Sequence, residues 1–174
     1  MNFVPANADC EPAWSEFLQH PGNHTFLAVA TNAGAAGCNQ EALPDRLQKA
    51  KLFKLIQSGN QWGFRAGLFV SGCLDGANAE DFYRSAGLFF QRAPHAFLQI
   101  VQDNGASDAE LKRMLTMLPL TTVDDFDAQL SMIKKRISIL QGIDDVSLSS
   151  VKDTALVFLT SEETKLIRMR SETK

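Results

Sequence analysis

The chain has 174 residues, 45% of them apolar and 21% charged, with a formal net charge of -3 and a pI near 5.6. That length can bury a sizeable core in one domain, and the composition excludes a disordered chain, which needs low hydrophobicity and high net charge. The acidic balance also argues against a nucleic-acid partner, because such proteins carry a basic surplus.

The N-terminal region comes first. The opening MNFVPANADC lacks the basic start and apolar run of a secretory signal. Ala6-Asn7-Ala8 before Asp9 nevertheless resembles the small-x-small site at which such signals are cut. Two readings stay open: Met1 lies inside a longer precursor, or residues 1–10 form a short loose arm. The longest charge-free stretch, Phe17 to Gln40, is interrupted by His20-Pro21-Gly22-Asn23-His24 and so predicts no transmembrane segment.

Eight stretches between residues 11 and 142 carry helical periodicity with end signals. The first spans about Glu11 to Gln19, with Trp14, Phe17 and Leu18 on one side. Pro21-Gly22-Asn23 then turns the chain into a second helix from about His24 to Ala33. A third begins at Pro44, a favoured first helical position, and reaches Gln57. The fourth, about Gln61 to Leu74, carries Trp62, Ala66, Phe69, Val70 and Cys73 as its apolar stripe.

The fifth starts after Asn78 as N-cap and carries Phe82, Ala86, Phe89 and Phe90. The sixth opens near Pro94 with Phe97, Leu98 and Val101. Ser107-x-x-Glu110 is a capping box for the seventh, which carries Leu111, Met114, Leu115 and Leu118. The eighth has the stripe Phe126, Leu130, Ile133, Ile137 and Leu140, and its Lys134-Lys135-Arg136 run reads as a solvated face.

The C-terminal stretch changes character. In VSLSSVKDTALVFLTSEETKLIRMR the runs 155–160 and 165–170, separated by Ser161-Glu162-Glu163-Thr164, favour the arms of a β-hairpin within 146–170. A helix beginning at a Thr160…Glu163 capping box is the alternative. A hairpin would need to pack on the helices, join other strands, or pair with a second copy in a homodimer. The expected fold is therefore a single, mainly α domain of antiparallel helix pairs, in a bundle or a short solenoid-like array. The small C-terminal hairpin would make it α+β.

The phrases KLFKLIQSGNQW (51–62) and GLFFQRAPHAF (87–97) echo each other, with Leu52-Phe53 and Leu88-Phe89 36 residues apart. In each, a Leu-Phe helix ends in a polar turn before an aromatic, Trp62 or Phe97, opens the next. On that period, residues 43–105 resemble HEAT-like helical repeats, and the resemblance implies a surface presented to a partner.

Three cysteines are present: Cys10, Cys38 and Cys73. None lies in a C-x-x-C pair, so zinc-ribbon and thioredoxin readings fail. A hairpin of the first two helices brings Cys10 and Cys38 to its open end. A disulfide there would close a 29-residue loop, worth roughly 3–4 kcal/mol, and would imply an oxidising compartment. Cys73, on the stripe of the fourth helix, reads as a buried thiol.

Motifs for chemistry are sparse. Glu16, His20 and His24 have metal-ligand spacing, but Pro21-Gly22 interrupts their helix. No phosphate-cradling glycine loop is present, and Ser71 lacks a G-x-S-x-G turn. No catalytic, cofactor-binding or metal-binding residue is assigned, and no cofactor is expected. Residues 1–41 hold four acids and no Lys or Arg, while 42–54 hold Arg46, Lys49, Lys51 and Lys54 against Asp45. This asymmetry either steers an acidic partner to the third helix or reflects the two segments packing side by side.

The interaction candidates are Arg46, Lys49, Lys54, Arg84, Arg92 and His95. The expected function is non-catalytic binding of another protein, in the form of an exported bacterial inhibitor or immunity-type protein. An envelope assembly or maintenance factor is one alternative, and an enzyme with an unrecognised site is another, favoured if His95 converges with Arg84 or Arg92 in a pocket. The expected location is periplasmic or otherwise exported, with the cytoplasm as the alternative.

Overall fold

The computed structural model describes residues 10–36 and 45–172. Among them the order is α1 (Cys10–Gln19), α2 (Asn23–Ala36), α3 (Arg46–Gln57), α4 (Gln61–Val70), α5 (Gly76–Arg92), α6 (Pro94–Asp103), α7 (Asp108–Thr116), α8 (Phe126–Gln141) and α9 (Ser149–Glu172). Short 3-10 turns lie at Ser71–Cys73, Leu120–Thr122 and Val146–Leu148. The chain divides into two compact units, Met1–Phe82 and Tyr83–Lys174, with the boundary inside α5.

In the first unit α1 packs on α2 and α3, and α4 packs on α2 and α3, so the four close a ring. Its centre holds Trp14, Phe17, Val29, Leu52, Ile56 and Phe64. Local chemistry sets the ends. Asp45 and Gln48 form a reciprocal capping box at the start of α3. The Asn60 side chain accepts from Gly63 N at 2.8 Å at the start of α4.

The face that α4 buries differs from the expected stripe. Phe64, Ala66, Leu68 and Val70 are buried with Gly63 and Gly67, whereas Trp62 is half-buried and Phe69 is 42% exposed. The two glycines, four residues apart, form a notch. A Cβ at Gly67 would sit 2.7 Å from Ile56 Cδ1 and 2.8 Å from Phe82 Cε2. At Gly63 it would meet the Leu55 side chain at 2.9 Å. Backbone-close packing through this notch, rather than the aromatic stripe, turns α4 toward α3. The helix ends at Val70, so Cys73 stands half-buried in the following turn rather than on the helix, and it is disulfide-bonded rather than a thiol.

The second unit is arranged round α9, which packs against α6, α7 and α8. Ser107 and Glu110 form the expected capping box of α7, with Ser107 N donating to Glu110 Oε2 at 2.9 Å. α8 and α9 run antiparallel. Arg170 reaches Asp127 at 3.1 Å near one end and Lys152 Nζ donates to Ile143 O at 2.8 Å near the other. The α5 stripe holds as expected: Phe82, Ala86, Phe89 and Phe90 are fully buried. Phe90 meets Phe97 edge-on at 5.2 Å.

The C-terminal hairpin is not formed, and the fold class is all-helical rather than α+β. Among the described residues there is no strand, and 149–172 is one continuous helix. Its inward side is Ala155, Leu159 and Leu166, continued by Leu148 of the preceding 3-10 turn, at helical rather than alternating spacing. Glu162 and Glu163, which sequence reading placed in a turn, lie mid-helix and pair with Lys165 at 3.0 Å and Lys134 at 3.9 Å. The Ser and Thr residues that suggested strands turn their hydroxyls onto the preceding turn. Thr154 donates to Ser150 O and Thr164 to Thr160 O. The alternative of a helix starting at a Thr160 cap also gives way, because the helix begins eleven residues earlier at Ser149.

Arg136 is the second correction. It does not join Lys134 and Lys135 on a solvated face but is fully buried. Its Nη1 donates to Leu115 O and, at 3.5 Å, to Met117 O, so it closes the C-terminal end of α7. Nε and Nη2 have no hydrogen-bond partner among the described residues. A Cβ at Gly87 would lie 2.5 Å from Arg136 Nη2 and 2.8 Å from Met114 O, so only glycine fits there on α5. Burial lowers the guanidinium pKa to about 10, which leaves it charged at neutral pH.

Candidate functional site

The strongest polar constellation among the described residues lies at His95, Asp145 and Ser147. Pro94 and His95 open α6, and Asp145 caps the 3-10 turn that leads into α9. His95 Nε2 lies 2.7 Å from Asp145 Oδ2. Ser147 Oγ and Ser147 N donate to the other oxygen, Oδ1, at 2.6 and 2.9 Å. The Ser147 hydrogen bond, then that of His95, holds the Asp145 carboxyl below its usual range.

The residue types match a hydrolase triad but the order does not. Catalysis of that kind places the imidazole between hydroxyl and carboxylate, so that it can take the hydroxyl proton. Here the carboxylate sits in the middle, and the Ser147 hydroxyl is bound to a weak base with a lowered pKa. With His95 61% exposed, the arrangement is a solvent-facing tie between the start of α6 and the α8–α9 connection.

The six interaction candidates divide between the units. On α3, Arg46 and Lys54 face outward with Lys51, while Lys49 is half-buried. In the second unit Arg84 is half-buried, Arg92 is exposed at the end of α5, and His95 pairs with Asp145. A shallow cleft of about 210 Å³ lies at the end of α6 and the starts of α7 and α9. It is lined by Val101, Asp108, Leu111, Ser150 and Thr154, among others, and by none of the six.

The charge asymmetry of the N-terminal third has a structural counterpart. The acidic α1 packs on the basic α3, with Gln48 Nε2 reaching Glu11 O at 3.5 Å. Cys10 is buried at the start of α1 as a thiol and Cys73 is the disulfide-bonded cysteine, so the expected Cys10–Cys38 bridge is not formed; Cys38 lies outside the described residues.

Sequence reading missed a half-exposed aromatic ledge in the first unit. Phe26 of α2 meets Trp62 at 5.9 Å and Phe69 at 6.4 Å, the latter edge-on. The Arg65 guanidinium sits 5.8 Å from the Trp62 ring centre. The seven-residue spacing from Trp62 to Phe69 was visible in the sequence, but it was assigned to the core.

Among the described residues these features define an all-helical chain with a polar tie at His95–Asp145 and partly exposed aromatic and basic surfaces. Comparison of the chain with protein-family models, with curated proteins and with solved structures finds no match. No helix among the described residues is long and apolar enough to cross a membrane.

Proposed function

We propose that the chain is a non-catalytic protein that acts by binding another protein, in the manner of an exported inhibitor or immunity-type protein. The observation that supports this reading is the ledge of Phe26, Trp62 and Phe69 with Arg65 across the Trp62 face. Trp and Arg dominate the energetics of protein interfaces, where rigid aromatic area is buried at low entropic cost. The helix-pair rhythm over 43–105, like that of HEAT repeats, suits such a surface. With 149–172 a continuous helix, an envelope factor that pairs C-terminal strands with a partner sheet loses the strands that reading required.

Affinity purification of the tagged chain from its native host, after mild cross-linking, tests the reading. A stoichiometric protein partner is expected with the parent chain, and its loss with the pair Trp62→Ala and Phe69→Ala. Absence of any stoichiometric partner would end the proposal. The exported location is tested by thiol titration in denaturant without reductant. One titratable thiol, that of Cys10, with Cys73 recovered in a disulfide-linked peptide, is the expected result. Three free thiols would remove the exported location.

A further inference from the structure

The outward face of α3 is an unusual surface for an acidic protein. Arg46, Leu47, Ala50, Lys51 and Lys54 are all exposed and lie within one side of the helix, because positions three, four and seven apart share a face. Leu47 is 73% exposed at the middle of that side. The helix RLQKAKLFKLIQ contains no acidic residue, and among the described residues Arg46, Lys51 and Lys54 form no ion pair.

The placement also runs against local stability. Arg46 is the first residue of α3 and Lys49 follows in the same turn, with no acid there. Cations at a helix N-terminus oppose the backbone dipole. Asp45 offsets this in part as N-cap. The stretches 1–9 and 37–44 carry one acid each, Asp9 and Glu41, too few to neutralise the face. The inward side, by contrast, is fully used: Leu52, Phe53 and Ile56 are buried.

Resting on the protein-binding reading above, we propose that this face docks an acidic, amphipathic helix of the partner protein. Arg46, Lys51 and Lys54 would meet its carboxylates, and Leu47 would enter its apolar stripe. The row from Arg46 to Lys54 runs about 12 Å along α3, which matches two to three turns of a second helix. Charge complementarity selects this occupant. Three cations grip too few phosphates to hold a duplex on a protein of net charge -3. One exposed leucine does not make the apolar band that an interfacial membrane helix needs.

The test is fluorescence anisotropy of the full chain with a labelled helical peptide bearing Glu on one face and a single Leu. The control is the same peptide with Gln for Glu. Saturable binding to the Glu peptide is expected, weakening at least about tenfold as salt rises from about 0.05 to about 0.3 M. The pair Lys51→Glu and Lys54→Glu should lose at least about tenfold in affinity, and Leu47→Ser several-fold, with unchanged far-UV circular dichroism. Equal binding of the Gln peptide, or by the charge-reversed variant, would overturn the assignment. So would tighter binding to a DNA duplex or to phosphatidylserine vesicles. If the native partner is retained equally by the charge-reversed variant, the α3 surface is wrong while the protein-binding reading stands. If no partner is retained by the parent chain, that reading fails first.

Discussion

Two glycines and one arginine show how much a single position can decide. Gly67 sits where Ile56 and Phe82 leave no room for a methyl group, and Phe82 is itself stacked on Phe64 at 6.4 Å. Gly67→Ala should therefore lower stability by about 1–3 kcal/mol through overpacking, despite the better helix propensity of alanine. Gly63→Ala meets the flexible Leu55 side chain and should cost less. Urea midpoints of the two variants check the order. At Arg136 the cation is buried and closes α7 through backbone carbonyls. Arg136→Ala should cost about 2–5 kcal/mol, since it opens a cavity and strands those carbonyls. Arg136→Met keeps the stem volume and removes the buried charge, so it should cost less than half as much by the same measurement.

At the scale of elements, periodicity was legible where the stripe was uniform or the cap explicit. α5 announced its four-residue stripe, and α7 its capping box. α9 was misread because its apolar residues 155–159 run consecutively and its Ser and Thr residues favour extended backbone as well as caps. The helical register appears only on reading across the acidic patch, from Leu148 to Leu166. Arg136 was legible in principle, three residues after Ile133 and four before Leu140. Charge outweighed register in that reading, because buried arginines are rare. The glycine notch was hidden for a different reason: glycine in a helix reads as a weakness, and its use as a contact depends on what approaches it. Thr160→Pro separates the two views of the C-terminal region. In the middle of α9 it should cost at least about 3 kcal/mol and shorten the helix by circular dichroism, whereas a hairpin edge would accept it.

For the whole molecule, electrostatics set the response to acid. Asp145, held by Ser147 and His95, and Asp75, held by Asn78, both have pKa values below their ordinary value near 3.8. The unfolded chain binds these protons more readily than the folded one, so stability rises with pH through this range. The contribution is complete above the ordinary carboxylate pKa and is lost as pH falls through the folded value. The urea midpoint should drop between about pH 5 and about pH 3, and drop less in Asp145→Asn. A chain lacking this slope difference would show that the His95–Asp145 tie is not formed in solution. The boundary between the two units falls inside α5, after Phe82. Severing the chain after Phe82 should leave both halves with reduced helicity, read by circular dichroism of the two fragments.

The basic triplet of α8 has a practical consequence. Lys134-Lys135-Arg136 offers trypsin three adjacent cleavage bonds, yet they lie mid-helix with the Arg136 stem sealed beneath Gly87. A protease needs several residues in extended form, and α8 supplies none until the second unit opens. Nicking at that triplet thus works as a clock for opening of this core, timed by the appearance of one cut peptide.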